Sequence, residues 1–377
     1  MSQNKTSSIE ENEKPEKFAA QDRIQFFEML HRAFQEAVAE TGEPVDIFIE
    51  IAGQTICLRF AGKTLITPLA RAFSHLVVPP VENPDLIINF WDSASSGRPL
   101  PLLIGNLISL MNSGTLLKLN RYRGDILPLT DRRIRSSLHA ENILTVLDFE
   151  KKSCVYWIAD ASMIPYYDVG APLRMPFGWW FSSPTRQMIH SGAVGNEQGG
   201  VLLSGKGGSG KSTTALNCLN SPLFYASDDY VLVELEPQPV AYSLYNTAKV
   251  KTIEDLNRFP KFQTWLANSE GVRDKEEKPM MFVNEEMPEK IIRQIPLKAI
   301  VFPKFTAGEN YRIQKISQQT AFREISLSTL SQTPYDDREC LQMISRLVRR
   351  LPIYEFVFGE EQSRIPFFIN QILVENS

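Results

Sequence analysis

Gly205-Lys206-Gly207-Gly208-Ser209-Gly210-Lys211-Ser212 satisfies the pattern G-x-x-x-x-G-K-[ST] at every fixed position. Glycines in such a loop let successive backbone N–H groups converge on phosphate oxygens. A following helix adds the positive end of its dipole. In this pattern Lys211 reaches the β- and γ-phosphates, and the Ser212 hydroxyl ligates magnesium. Thr213 extends the nucleotide-binding stretch into the next helix. The flanks supply the required context. Gly200-Val201-Leu202-Leu203-Ser204 is a short apolar run that reads as a buried strand, and Thr213–Leu219 carries apolar residues at helical spacing.

A phosphate loop works with a metal-binding carboxylate at a strand end. Asp228 and Asp229 lie 17 and 18 residues beyond Lys211, after the run Leu223–Ser227. Two adjacent carboxylates raise each other's pKa, a cost that magnesium removes. One then joins the metal shell, and the other can take a proton from an attacking hydroxyl. An ATPase needs only positioned water, so a second acid leans towards a kinase. No Asn-Lys-x-Asp sequence occurs, since Asn4-Lys5 is followed by Thr6-Ser7, which disfavours a GTPase.

His190 stands fifteen positions before Gly205. Together with Gly200–Leu203, the loop Gly205–Ser212 and Ser227-Asp228-Asp229, it resembles the catalytic domain of HPr kinase/phosphorylase. The resemblance is closer still to HPr-kinase-related proteins encoded beside peptide-modification genes, including kinases of lasso-peptide precursors. Tyr242–Lys249 and Ala299–Lys304 are similar to that subgroup, and the likeness covers about residues 186–358. It implies an α/β P-loop kinase domain with a phosphoenolpyruvate-carboxykinase-like fold. It also implies ATP, magnesium and transfer to a serine hydroxyl of a protein or peptide. By position, Asp229 is implied on the metal side with Ser212, Asp228 as the base, and His190 close to the phosphates. The Glu-x-Arg-Gly and Arg-Pro-Gly-Arg-Asn elements of HPr kinase/phosphorylase are missing. Recognition of HPr and the reverse phosphorylase reaction are therefore not expected. Lys249 is the first choice, ahead of Lys251 and Lys304, for the positive charge that those elements would supply. The alternative function is a P-loop ATPase or adaptor without kinase activity.

The elements that must position these residues divide at about residue 165. At 377 residues the chain suits two domains. Residues 1–20 read as a disordered tail. Residues 21–165 read as a smaller α+β domain that recruits substrate and takes no part in chemistry. Residues 166–377 form the catalytic domain. In the first half, 21–40 predicts an amphipathic helix with Ile24, Phe27, Leu30, Phe34 and Val38 inward. Hairpins are predicted at Val45–Phe60, around Gly53-Gln54, and at Ile143–Ala159. A helix is expected at Pro68–Val77 and another around Leu102–Met111, with a strand at Leu86–Trp91. Trp179-Trp180 reads as packing between the halves rather than a ligand platform. Further on, a strand falls within Phe224–Leu235, an exposed charged loop at Asp274–Lys278, a strand at Ala299–Phe302 ending at Pro303, and a helix at Glu339–Leu351 with Cys340, Met343, Leu347 and Leu351 inward and Arg346, Arg349 and Arg350 on a solvated outer face.

Bulk properties exclude several classes. The net charge of −4 gives no electrostatic case for nucleic acid. The basic clusters Lys118, Arg121, Arg123 and Arg132, Arg133, Arg135 read as solvated faces. Four scattered cysteines and four scattered histidines show no metal spacing, which predicts a reducing, cytoplasmic setting. The N-terminus lacks a signal-peptide core. The uncharged run Pro99–Leu117 is too polar for a membrane span. A homo-oligomer is left open.

Overall fold

The computed structural model describes residues 19–102, 104, 124–139, 142–250, 252, 259–266, 278–308, 310–332 and 337–376. It is a mixed α/β architecture with several sheets. The first sheet has six strands: β1 (Val45–Ile51), β2 (Gln54–Phe60), β3 (Leu86–Asp92), β4 (Ile134–His139), β5 (Ile143–Asp148) and β6 (Ser153–Ile158), in the order β1-β2-β3-β6-β5-β4. β2, β3 and β6 run parallel to one another, and the two hairpins at the edges are antiparallel. The β1–β2 turn falls at Ala52-Gly53, both with positive φ, one residue earlier than the expected Gly53-Gln54. Two left-handed residues give the turn a twist that suits a two-residue hairpin.

Helix Ala20–Thr41 covers one face of this sheet. Phe27, Leu30 and Phe34 pack with Trp91, Leu144, Val155 and Trp157. Ile24 and Val38 sit at the margin of the stripe, half-buried, while Ala33 and Ala37 lie inside it. On β6 the next residues along, Cys154, Tyr156 and Ile158, face the second half of the chain. β6 is buried on both faces, and hence it shows no polar alternation.

The second sheet contains β7 (Arg186–Ile189), β8 (Gly192–Asn196), β9 (Gly199–Leu203), β10 (Phe224–Ser227), β11 (Val231–Glu234), β12 (Val240–Ser243), β15 (Gln294–Phe305), β16 (Arg312–Lys315) and β17 (Ile353–Phe358). A separate ribbon joins β13 (Thr247–Lys249) to β14 (Met280–Phe282). β15 is the organising strand. Its first residues pair antiparallel with β12, and its remainder lies parallel to β9 on one side and β17 on the other. The strand expected at Ala299–Phe302 therefore runs through Pro303 to Phe305. Pro303 is tolerated because the last β9 partner is Val301, so the proline lies past the doubly paired stretch.

Three further expectations change. Residues 66–76 form a short α-helix, Ile66–Ala70, followed by a 3-10 turn, Arg71–Leu76, instead of one helix. Arg346 and Arg350, on helix Asp337–Arg350, both pair with Glu236 rather than facing only solvent. Arg133 is held by Asp148 and Glu150. The 1–20 tail lies outside the described residues apart from Ala19 and Ala20, and Ala20 opens the first helix. Most of the Leu102–Met111 helix and of the Asp274–Lys278 loop also lies outside them.

The apolar interior does not break at residue 165. One cluster contains Leu58, Phe73, Phe90 and Tyr156 together with Phe177, Tyr230, Leu232 and Ile344. The Phe73 and Phe177 rings meet edge to face at 5.5 Å. Trp180 stacks on Phe149 and donates to Gln54 Oε1 at 2.8 Å, so the tryptophan pair does pack between the halves. His75 Nε2 meets Ser243 Oγ at 2.8 Å. Among the described residues, no helix is long and apolar enough to cross a membrane, and all four cysteines are free and buried.

Candidate functional site

The glycine loop occupies the turn between β9 and helix Lys211–Leu219. β9 is buried along its length, and the helix seats Ala215, Leu216 and Leu219 in a core shared with Ile365, Ile369 and Phe358. The loop is thus a short bridge between two fixed elements. Gly205, Gly208 and Gly210 have φ of 132°, 79° and 111°, a region that strains other residues. A Cβ on Gly210 would also stand 2.7 Å from Phe358 Cζ. Lys206, Gly207 and Gly208 are exposed, Ser209, Ser212 and Thr213 half-buried, and Lys211 buried. Lys211 Nζ donates to the carbonyls of Gly205 (2.8 Å) and Lys206 (3.4 Å). Burial pushes its pKa down, against the pull of Asp229 and Asp228.

Asp228 and Asp229 follow β10 where that strand ends beside β8. Gly192 permits the approach, since a Cβ there would lie 2.8 Å from Ser227 O and 3.0 Å from Asp228 Cα. The two carboxylates have different neighbours. Asp228 is fully buried. Its Oδ2 accepts the Lys249 N–H at 3.1 Å, while its Oδ1 has no hydrogen-bond partner. Burial and the Asp229 charge push its pKa up; Lys249 and the Ser212 hydroxyl act the other way. Asp229 pairs with His190 Nε2 at 2.9 Å through Oδ1 and with Lys249 Nζ at 3.3 Å through Oδ2. Burial opposes its ionisation, but Lys249, His190 and Lys211 together hold the carboxyl well below the ordinary range.

His190 is gripped at both ring nitrogens. Nδ1 meets Ser328 Oγ at 2.7 Å, and Ser328 Oγ also lies 3.4 Å from the Gly205 carbonyl. Ionised Asp229 only accepts, so Nε2 carries a proton. Nδ1 then either accepts from Ser328 in the neutral ring, or donates to it in the charged ring while Ser328 donates to Gly205. Ser328 thereby ties the phosphate loop to the histidine. Lys249 ends β13, and Gly170 makes room for it: a Cβ there would lie 2.7 Å from Lys249 Cε. Lys304 is instead a surface residue facing Glu355, and Lys251 lies outside the described residues.

The structure therefore gathers Lys211, Asp228, Asp229, His190 and Lys249 at one end of the loop. Five residues around them belong to no motif. Tyr230 OH donates to Gln332 at 2.6 Å and receives Arg174 at 3.1 Å. Arg174 pairs with Asp168 at 3.2 Å, and Asp168 faces His139 at 3.1 Å. Only Tyr230 could have been found, by its place directly after the aspartates. All these residues line one cleft of about 1080 Å³. Tyr156 and Thr145 of the first sheet form part of its wall.

Among the described residues, no three His, Cys, Asp or Glu side chains form a metal cage. Magnesium does not need one, since it is bound through one or two carboxylates, substrate phosphates and water. The Ser212 hydroxyl and the unpartnered Asp228 Oδ1 are oxygen donors that fit such an ion.

No protein-family model matches the chain, and no curated protein sequence matches it. Among solved structures, the HPr(Ser) kinase/phosphatase from Coxiella burnetii aligns with 12% identity and a TM-score of 0.27, over 50% of this chain and 95% of that one.

Proposed function

We propose that the protein is an ATP-dependent kinase that transfers the γ-phosphoryl group to a serine hydroxyl of a protein or peptide. We assign residues 166–377 to an HPr-kinase-like P-loop domain of phosphoenolpyruvate-carboxykinase type. The observation that carries this reading is the convergence of two carboxylates, Lys249 and His190 on the Lys211 end of the phosphate loop. Nucleotide binding alone has no use for so many groups beyond the loop.

Lys211 exchanges the Gly205 and Lys206 carbonyls for phosphate oxygens, alongside the N–H groups of Gly205–Thr213. Bound magnesium would offset the charge of the phosphate oxygens from a seat on Ser212 and one carboxylate. The acceptor oxygen attacks the γ-phosphorus, and the bond to the β,γ-bridging oxygen breaks. ADP leaves with that electron pair, and the hydroxyl proton passes to the other carboxylate. Lys249 places positive charge beside the transferring group. The proximity of Ser212 to Asp228 favours Asp228 on the metal side and Asp229, backed by His190, as the group that orients and deprotonates the hydroxyl. This division is the reverse of the one the family resemblance implies.

The test uses terminally labelled ATP with magnesium and three acceptors: free serine, a peptide ending in serine, and HPr. Label on a serine hydroxyl, with slow phosphate release in its absence, is the expected result. Rapid phosphate release that no hydroxyl compound alters would establish an ATPase instead.

A further inference from the structure

Three parallel strands end together beside the phosphate loop. β9 runs into the loop itself, and β15 and β17 follow in order, in a register that sets Phe305 level with Phe358. Ligands of parallel α/β sheets bind outside these carboxyl ends. Phe305 and Phe358 close their strands there, with ring centroids 5.9 Å apart. Phe358 is fully buried and is the ring that a Cβ on Gly210 would strike. Phe305 therefore stands one ring removed from the loop. It lines the same cleft and is 44% exposed. A lone exposed apolar side chain is ordinary on an open surface; this one faces a concave site. Among the described residues of the cleft, Tyr167 is the other aromatic of comparable exposure, at 36%. Its ring is already flanked by Arg174 at 5.6 Å, Tyr166 at 5.6 Å and His139 at 5.8 Å.

Gln362 follows β17 by four residues and lines the cleft beside the first turn of the loop's helix. Asn217 Nδ2 of that helix donates to the Thr213 carbonyl at 2.8 Å and reaches Gln362 Oε1 only at 3.5 Å, the limit of a hydrogen bond. The Gln362 carboxamide is thus loosely held. A phosphate loop by itself grips phosphates, and its N–H groups serve tripolyphosphate and a nucleoside triphosphate alike. A preference for nucleotide needs a flat apolar face for the base and a polar group for its edge. Adenine carries a 6-amino donor between the acceptors N1 and N7. A carboxamide, with one donor and one acceptor side by side, matches such a pair.

We propose that Phe305 and Gln362 form the nucleobase seat, in which an adenine ring stacks on Phe305 and Gln362 pairs with its 6-amino edge. The proposal rests on the reading of Gly205–Ser212 as a nucleotide loop. It does not depend on whether the γ-phosphoryl group passes to serine or to water. Both are specificity residues, and Phe358 is the prop that joins the seat to the loop.

The experiment is calorimetric titration of the full chain with magnesium complexes of the β,γ-imido analogue of ATP, of the same analogue of purine riboside triphosphate, which lacks the 6-amino group, and of inorganic tripolyphosphate. The parent should bind the ATP analogue about tenfold more tightly than tripolyphosphate, the worth of one stacked base. It should prefer the ATP analogue to the purine analogue about fivefold, the worth of one hydrogen bond. Phe305→Ala should lose about tenfold for the ATP analogue and nothing for tripolyphosphate. Phe305→Trp, which restores a stacking face, should bind the ATP analogue as the parent does. Gln362→Leu should bind the two nucleoside analogues equally. Equal affinity of the parent for the ATP analogue and tripolyphosphate would overturn the seat. So would a Phe305→Ala variant that binds the ATP analogue like the parent, or one that loses tripolyphosphate by the same factor, since the ring would then only prop the loop. A Gln362→Leu variant that still prefers the ATP analogue would overturn the reading of the 6-amino edge. Absence of all binding by the parent would bring down the phosphate loop and the seat together. Binding as expected, with no transfer to any hydroxyl, would overturn the kinase reading and leave the seat standing.

Discussion

Asp228 and Asp229 are adjacent in sequence, yet one keeps an oxygen without a hydrogen-bond partner and the other is clamped between Lys249 and His190. Their amide variants should therefore differ. Asp228→Asn is expected to weaken the magnesium dependence of ATP binding, measured by titration with and without the metal. Asp229→Asn should retain binding and lose on the order of 10²–10⁴ in transfer rate, the usual worth of a positioned base. The opposite pair of outcomes would restore the division that the family likeness implies. Gly170→Ala tests Lys249 indirectly. The added methyl would stand 2.6 Å from Met280 Sδ and 2.7 Å from Lys249 Cε, so both flexible side chains must shift; transfer should fall at little cost in stability, seen as a lower kcat with Tm nearly unchanged. The motif residues were legible because the loop is contiguous and the aspartates follow it closely. Ser328 and Arg174 were not legible. Ser328 meets His190 from 138 residues away, and neither residue belongs to a local pattern.

At the scale of elements, the loop depends on its two neighbours. Gly210→Ala meets both an unfavourable φ and the Phe358 ring, so about 1–3 kcal/mol of stability should be lost along with nucleotide affinity. Urea unfolding of Gly210→Ala and of Gly210→Ala/Phe358→Leu separates the causes. The double variant should recover the part due to the ring and keep the part due to φ. Hairpins and the long helices were readable because one face of each meets the core and alternation or helical spacing survives. Strands buried on both faces, such as β6, were found as apolar runs. β4 and the extension of β15 past Pro303 were missed because neither carries an apolar run of its own, and a proline usually ends a strand. The break between Ala70 and Arg71 was also unreadable, since that segment takes its shape from the contacts of Phe73 and His75 with the second half.

Across the whole molecule, the halves share one interior. A fragment starting at Met163 would expose the faces of Phe177 and Tyr245 that Phe73 covers. It is expected to aggregate rather than bind ATP, and a soluble, ATP-binding fragment would overturn that view of the junction. Acid should weaken the same junction. Burial, helped by Arg293, holds His75 down at about 3 from its ordinary 6.5. Below pH 6.5 the unfolded chain takes up a proton that the native histidine refuses, so stability falls as pH falls, by about 1.4 kcal/mol per unit at the steepest. Denaturant melts between about pH 6.5 and 5, above the carboxylate range, should show this slope, and His75→Gln should flatten it. A last consequence concerns the order of synthesis. The six-stranded sheet contains every strand it needs by Ile158, whereas β9 and the loop it leads into lean on β15, about a hundred residues later, and on β17 beyond that. Pairings so distant in sequence form slowly, and a chain emerging from the ribosome folds its N-terminal unit first. The nascent protein would therefore hold every strand of the first sheet, and no phosphate cradle, until β15 and β17 have been made. On the kinase reading, competence for nucleotide would wait for Ile353–Phe358 to emerge.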